Sequence, residues 1–271
     1  MKRIVFAAAF LASTLLAIGA SAQQKPQSGN RLYVMDCGQG HAPDKARWSP
    51  GVEVGKPWDI SDNCYLVRHG RDYLLWDTGI TDNLQPGPAA QTSPIAWSKP
   101  KKLIQQLAGI GVTPDDIKYI AVSHSHPDHI GNVDLFPKSQ LLMQKAEWDF
   151  AFADNKKPFS GEHPVKKLES DYDVFGDGSV EILQTPGHTP GHQSLMVKLP
   201  KTGWIMLSGD AVHFKSNWDN RRIPAGNTDK QATLISMQRM AAVLDARHAK
   251  LWINHDKAQS NTLKHAPDFY E

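Results

Sequence analysis

Ser123-His124-Ser125-His126-Pro127-Asp128-His129 sets three imidazoles and one carboxylate close together, directly after the apolar run 119–122, which has the character of a buried strand. Neutral imidazole nitrogen and carboxylate oxygen are ligands that zinc accepts at about 2.0–2.2 Å. In an extended or tightly turned segment, positions two apart project to the same side, so His124 and His126 can share one ion. Asp128 and His129 then face a second. A solvated histidine run on the surface is the plain alternative. The placement of the cluster where a buried strand ends favours metal, because a rigid sheet holds such loops in place.

Four ligands are too few for two ions, since a catalytic zinc takes about three from the protein and keeps a position for water. Three later segments can supply the rest: Thr185-Pro186-Gly187-His188-Thr189-Pro190-Gly191-His192, Ser208-Gly209-Asp210 and Asn254-His255-Asp256. Each stands at or just beyond an expected strand. By residue type alone, His188 and His192 are equal rivals.

Around these segments the pattern is of short strands mixed with helices. Strands are expected at 31–37, 63–68, 73–76, 119–122, 180–184, 194–199, 204–207 and 250–253. Helices are expected at 101–109, 144–153 and 229–248, the last with Leu234, Met237, Ala241 and Leu244 as its apolar stripe. Residues 41–62 read as a long loop with tryptophans and prolines, a candidate wall for a pocket. The order implies an α/β sandwich with polar residues at strand ends.

The first 22 residues place Lys2 and Arg3 before an apolar run and end Ala20-Ser21-Ala22, the pattern of a secretory leader cleaved near Ala22. The expected organisation is therefore a signal peptide, 1–22, and one hydrolase domain, 23–271, in the periplasm or secreted. The apolar run is shorter than the roughly 20 residues that span a bilayer. Loss of Lys2 and Arg3 leaves 28 basic residues against 28 acidic ones, so the sequence pI of about 8.4 belongs to the precursor. A net charge of zero offers no general attraction for nucleic acid and suits a small neutral substrate. Cys37 and Cys64 would reach an oxidising compartment, where a disulfide persists, but sequence does not give their separation.

The ordered set of HxHxDH, a GH after a strand, a GD after the next and a late NHD resembles the metallo-β-lactamase superfamily over nearly the whole mature chain. The resemblance implies an αββα sandwich of two mixed sheets flanked by helices, with the site along one edge. It implies two zinc ions per chain, although cobalt, manganese or iron accept the same ligands. His124, His126 and His188 would hold one, Asp128, His129 and His255 the other, and Asp210 would bridge them. The family pattern prefers His188 over His192. Asp77, in Trp76-Asp77-Thr78-Gly79, matches a turn whose carboxylate supports a zinc-bound histidine; a plain turn aspartate is the alternative.

Two such ions activate water, so the implied reaction is hydrolysis without a serine or cysteine nucleophile. Exported β-lactamases with this histidine set lack the bridging carboxylate, whereas lactonases have it. The segments Tyr33-Val34-Met35-Asp36-Cys37-Gly38, Asp62-Asn63-Cys64-Tyr65-Leu66-Val67 and Leu74-Leu75-Trp76-Asp77-Thr78-Gly79 resemble N-acyl-homoserine lactonases. On that resemblance the substrate is a neutral lactone with an acyl chain, and Asp128 shuttles the proton to the leaving oxygen. His213 stands where those lactonases carry tyrosine, and either stabilises the carbonyl or packs beside the site. Trp48, Trp58, Phe214 and Trp218 are candidate walls for the acyl chain, with ordinary packing the alternative. A promiscuous aryl-ester or organophosphate hydrolase, a β-lactamase and a non-catalytic periplasmic zinc-binding protein are the competing readings. Oligomeric state stays open, a homodimer included.

Overall fold

The computed structural model describes Met1 and residues 29–84 and 95–271. The expected leader lies, Met1 apart, outside the described residues. Twelve strands and six α-helices follow in chain order among them: β1 Arg31–Ala42, β2 Trp58–His69, β3 Asp72–Trp76, β4 Ala96–Ser98, α1 Leu103–Gly109, β5 Ile117–Ala121, α2 Pro127–Ile130, β6 Gln140–Gln144, α3 Lys145–Ala151, β7 Val165–Leu168, β8 Tyr172–Asp173, β9 Val180–Gln184, β10 Gln193–Leu199, β11 Gly203–Leu207, α4 Lys215–Asn220, α5 Lys230–Ala246, β12 Lys250–Trp252 and α6 Lys257–Ser260. None of these helices is long and apolar enough to cross a membrane.

The strands form two mixed sheets, one of order β4-β1-β2-β3-β5-β6-β7 and one of order β12-β11-β10-β9-β8. Alternation along each strand decides which face is covered by what. Leu32 and Val34 of β1 enter the core between the sheets, where they meet Leu195, Val197 and Leu199 of β10. Tyr33 and Met35 point the other way, into a second core with Leu103 and Leu107 of α1. Met196 and Met206 leave the second sheet on its outer face and pack against Met237 and Met240 of α5. The result is the expected αββα sandwich.

The structure departs from expectation in three places. Residues 41–62 are not one long loop: β1 runs to Ala42 and β2 begins at Trp58, paired Ala42↔Trp58 through Arg31↔Arg68. Pairing across a long antiparallel ribbon supplies the backbone partners that the local composition concealed. Strands β4, β6, β7 and β8 carried too little periodic signal to be expected. Finally, α5 is rotated slightly from expectation: it buries Thr233, Ser236, Met237 and Met240, and of the expected stripe Met237 and Leu244 pack in the outer core while Leu234 and Ala241 are only half-buried. Polar contacts set that rotation: Ser236 Oγ donates to Pro186 O at 2.7 Å and Asn227 Nδ2 to Thr233 Oγ1 at 3.0 Å.

Cys37 and Cys64 form a disulfide, with Cα atoms 5.7 Å apart. They lie on the paired strands β1 and β2, and the register shifts between Asp36 and Gly38, where Cys37 sits. This bulge swings Cys37 toward its partner.

Candidate metal centre

Strands β3, β5 and β6 run parallel, as do β11 and β12, so their carboxyl ends gather at one edge of the sandwich. Antiparallel pairing of β9 to β10 and β10 to β11 brings the end of β9 to the same edge. Asp77 follows β3, Ser123–His129 follow β5, Thr185–His192 follow β9, Ser208–Asp210 follow β11 and Asn254–His255 follow β12. Carboxyl ends of parallel strands are where α/β folds commonly place ligand sites.

Two groups of donors that share no residue converge there, and a third, Asp210, His213 and His255, overlaps both. His124, His126, His188 and Asp210 form one cluster and Asp128, His129 and His255 another, with the offered atoms of each within 4.8 Å of one another. In the first, His126 Nδ1 lies 2.9 Å from His124 Nε2 and 3.1 Å from His188 Nε2. Asp210 Oδ2 lies 3.4 Å from His188 Nε2 and 3.7 Å from His124 Nε2. Ligands on a tetrahedral zinc at about 2.0–2.1 Å stand roughly 3.3 Å apart, so these separations suit one ion. In the second, Asp128 Oδ2 is 3.6 Å from His255 Nε2 and 3.9 Å from His129 Nε2. Asp210 Oδ1 turns to this cluster, 3.0 Å from His255 Nε2 and 3.3 Å from His129 Nε2.

The two oxygens of Asp210 therefore face different clusters, the arrangement of a bridging carboxylate. His129 Nε2 and Asp210 Oδ1 are buried without a hydrogen-bond partner among the described residues. Such atoms are costly to bury unless something fills the space between them. The donor set fits a pair of divalent cations.

The nitrogens on the far side of these rings are held as metal-binding histidines require. His129 Nδ1 faces Asp77 Oδ2 at 3.0 Å, and Asp77 Oδ1 accepts from Ser123 N at 2.6 Å. Asp77 thus supports His129 as the resemblance implied, from a turn in which its own φ is +56°. His255 Nδ1 faces Ser61 O at 2.7 Å and His188 Nδ1 faces Asn227 Oδ1 at 2.9 Å. Ser61 and Asn227 carry no sequence signal: each lies far along the chain from the ring it orients. His192 stands outside both clusters, and its Nε2 accepts from Asp210 N at 2.9 Å. Burial lowers its pKa to about 3, which leaves the lone pair free for that bond. His192 thus holds the backbone of Asp210.

Electrostatics divide the two clusters in the metal-free protein. Burial, with neighbouring imidazoles, pushes His124 and His188 well below the ordinary histidine range. Burial also acts against charge on His129 and His255, but nearby carboxylates win, Asp210 foremost. His129 rises well above the ordinary value and His255 to about 9. A divalent cation held by the acidic cluster would replace that proton charge.

His213 lies at the centre, its Nε2 3.1 Å from Asp210 Oδ2 and its ring stacked 5.5 Å from His255. Trp48 and Phe214 are buried against each other beside it, and Trp58 packs on Phe214 at 5.8 Å. Trp97, which sequence did not single out, stands 6.3 Å from His255 on β4. Trp218 is not brought to this wall; it packs beneath the second sheet with the α5 cluster, under Arg221.

Comparison with known proteins agrees with this geometry. A model of the metallo-beta-lactamase superfamily matches residues 57–247. An N-acyl homoserine lactonase of Bacillus cereus is 30% identical over 249 residues, covering 88% of this chain and 98% of the relative. The N-acyl homoserine lactonase AttM of Azorhizobium caulinodans is 27% identical over 238 residues, covering 80% and 90%. Among solved structures, an N-acyl homoserine lactone hydrolase with the product N-hexanoyl-L-homoserine bound at its catalytic metal center superposes with a TM-score of 0.80 at 26% identity, covering 88% of this chain and 98% of that one. On the fold, the converging donors and these relatives together, the chain belongs to the metallo-beta-lactamase superfamily and is a metal-dependent hydrolase.

Proposed function

We propose that this protein is a dinuclear zinc hydrolase that opens the lactone ring of N-acyl homoserine lactones. The observation that carries the two-ion reading is the Asp210 carboxylate, whose oxygens address separate histidine clusters at 3.0–3.7 Å. The substrate class rests on the relatives, lactonases along most of their length. Zinc pairs of this kind polarise a carbonyl and lower the pKa of bound water to about 7.

The chain's own groups complete the reaction. Asp128, at 16% side-chain exposure the more open of the two cluster acids, would accept the proton given up by the attacking water and pass it to the departing ring oxygen as the ring C–O bond breaks. Burial keeps His213 below the ordinary histidine value, hence neutral at pH 7. We assign its Nε2–H to the substrate carbonyl oxygen; in the free protein that nitrogen faces Asp210 Oδ2. Trp48 and Phe214 form the backing of the acyl wall, with Trp58 and Trp97, only partly buried, packed beside them. Export is part of the same proposal: the leader pattern of residues 1–22 and the Cys37–Cys64 disulfide both suit an oxidising compartment.

Lactone opening releases a proton at neutral pH, so a pH-stat assay of the zinc-loaded protein tests the reading directly. Acid release is expected with N-hexanoyl and longer homoserine lactones, at rates well above those for a penicillin or an aryl phosphotriester. Turnover of either of those with none of the lactone would overturn it. Metal analysis should find two zinc ions per chain and one in Asp210→Ala; an undiminished pair in that variant would remove Asp210 as the bridge.

A further inference from the structure

Glu147 is fully buried, and among the described residues no lysine, arginine or histidine forms an ion pair with it. It lies in the first turn of α3, where the chain leaves β6 beside the loop that follows β5. Its Oε1 accepts from Ser125 N at 2.8 Å and Ser125 Oγ at 2.6 Å, and its Oε2 accepts from Gly191 N at 3.1 Å. Ser125 is the residue between His124 and His126. Gly191 belongs to the loop that presents His188. One side chain therefore ties together the two segments that supply all three imidazoles of the first cluster, one from each sheet.

The seat is built for close approach. A Cβ on Gly191 would fall 2.1 Å from Glu147 N and 2.6 Å from its Cβ, so the His188 loop rests directly on the start of α3. Glu147 belongs to none of the donor clusters. It acts through the loops that carry the ligands.

We propose that Glu147 is a positioning residue for the first metal site, setting the separation of His124 and His126 from His188. Glutamine at this position keeps one acceptor for Ser125 but turns an amide N–H toward Gly191 N–H, donor against donor. The substitution releases the His188 loop while preserving the shape of the side chain. Loss of a group that orients metal ligands costs about 10–100-fold in metal affinity. The carboxylate bonds the backbone between His124 and His126 and the loop of His188, and makes no bond to Asp128, His129 or His255, so the loss should fall chiefly on the first cluster.

The inference rests on the metal-centre reading, and cobalt binding separates the two. Wild-type protein stripped and titrated with cobalt should take up two ions with visible absorption; uptake of none would overturn both. In a His255→Gln background, where only the first cluster is complete, adding Glu147→Gln should weaken the remaining cobalt step about 10–100-fold and change its visible bands. In a His188→Gln background, where only the second is complete, the same substitution should leave the constant within about twofold. Asp149→Asn, on the same helix but paired at the surface with Lys145, should change neither. Equal weakening in both backgrounds would show a general structural role, and no weakening in the first would show no role; either outcome overturns the proposal.

Discussion

Asp77 and Asp62 show how two buried carboxylates close to one site take different parts. Asp77 is enclosed by donors, Ser123 N and the His129 ring. Asparagine there can accept from one of them but sets an N–H against the other. Asp77→Asn should therefore weaken metal at the second cluster about 10–100-fold and spare the first, as read by titration against a competing chelator. Asp62 is held by less: Ile80 N donates at 3.0 Å and Asn254 Nδ2 stands at 3.4 Å. Burial, reinforced by Asp128 and opposed by His129, His255 and Lys99, pushes it up from 3.8 to about 7. Between those values the folded, metal-free chain keeps a proton that the unfolded chain has lost. Its contribution to stability is thus fully present below 3.8 and lost as the pH rises through about 7. Urea unfolding of the stripped protein should show a smaller decline over that window in Asp62→Asn; an unchanged slope would refute the assignment.

At the scale of elements, the ribbon of β1 and β2 links the core to the second cluster. Asn63 N donates to Asn254 Oδ1 at 3.0 Å and Ser61 Oγ to Asn254 O at 2.7 Å, so β2 grips the segment that presents His255. Beneath the adjoining Asp77 turn lies the disulfide. Gly79, at φ +67°, leaves no room for a side chain, since a Cβ would fall 2.3 Å from Cys37 Cβ. The bridge closes a loop over a sequence separation of 27, which in the chain-entropy account is worth about 2–4 kcal/mol. A Cys37→Ser, Cys64→Ser double variant should lose about that much in urea unfolding. A change under about 0.5 kcal/mol would mean that the paired strands already supply the constraint.

Across the whole molecule, the candidate metal donors come from both sheets. His124, His126, Asp128 and His129 follow β5 of the seven-stranded sheet; His188, Asp210 and His255 follow strands of the five-stranded one. Bound ions would therefore fasten the sandwich along its open edge, adding about 2.7 kcal/mol per site when free metal stands at 100 times the dissociation constant. Stripping with a chelator should lower the melting temperature and speed amide exchange in residues 123–129 and 185–192. The inter-sheet core of Val34, Leu195 and Val197 should keep its protection. Uniform loss across both regions would mean that the metals govern the fold as a whole.

Much of this was open to reading along the chain. Chemical type and short spacing mark His124, His126, Asp128 and His129 as candidate ligands because a donor cluster on one loop is a local feature. Apolar runs bounded by turn residues likewise locate the principal strands of both sheets. The sequence by itself determined which donors exist and at which strand ends they stand. Only the tertiary structure decided how they meet. His188 prevails over His192 through the direction of the loop on α5, and Asp210 divides its oxygens because strands from two sheets end at one edge. Asn227, Ser61 and Glu147 enter the site through contacts between segments distant in the chain, so no local pattern marks them. The same holds for Cys37 and Cys64, joined by the register of a ribbon, and for Trp218, which packing carries away from the wall that Trp48 and Phe214 form. Spacing along the chain constrains ligand chemistry, while distances between segments follow from burying two sheets against each other.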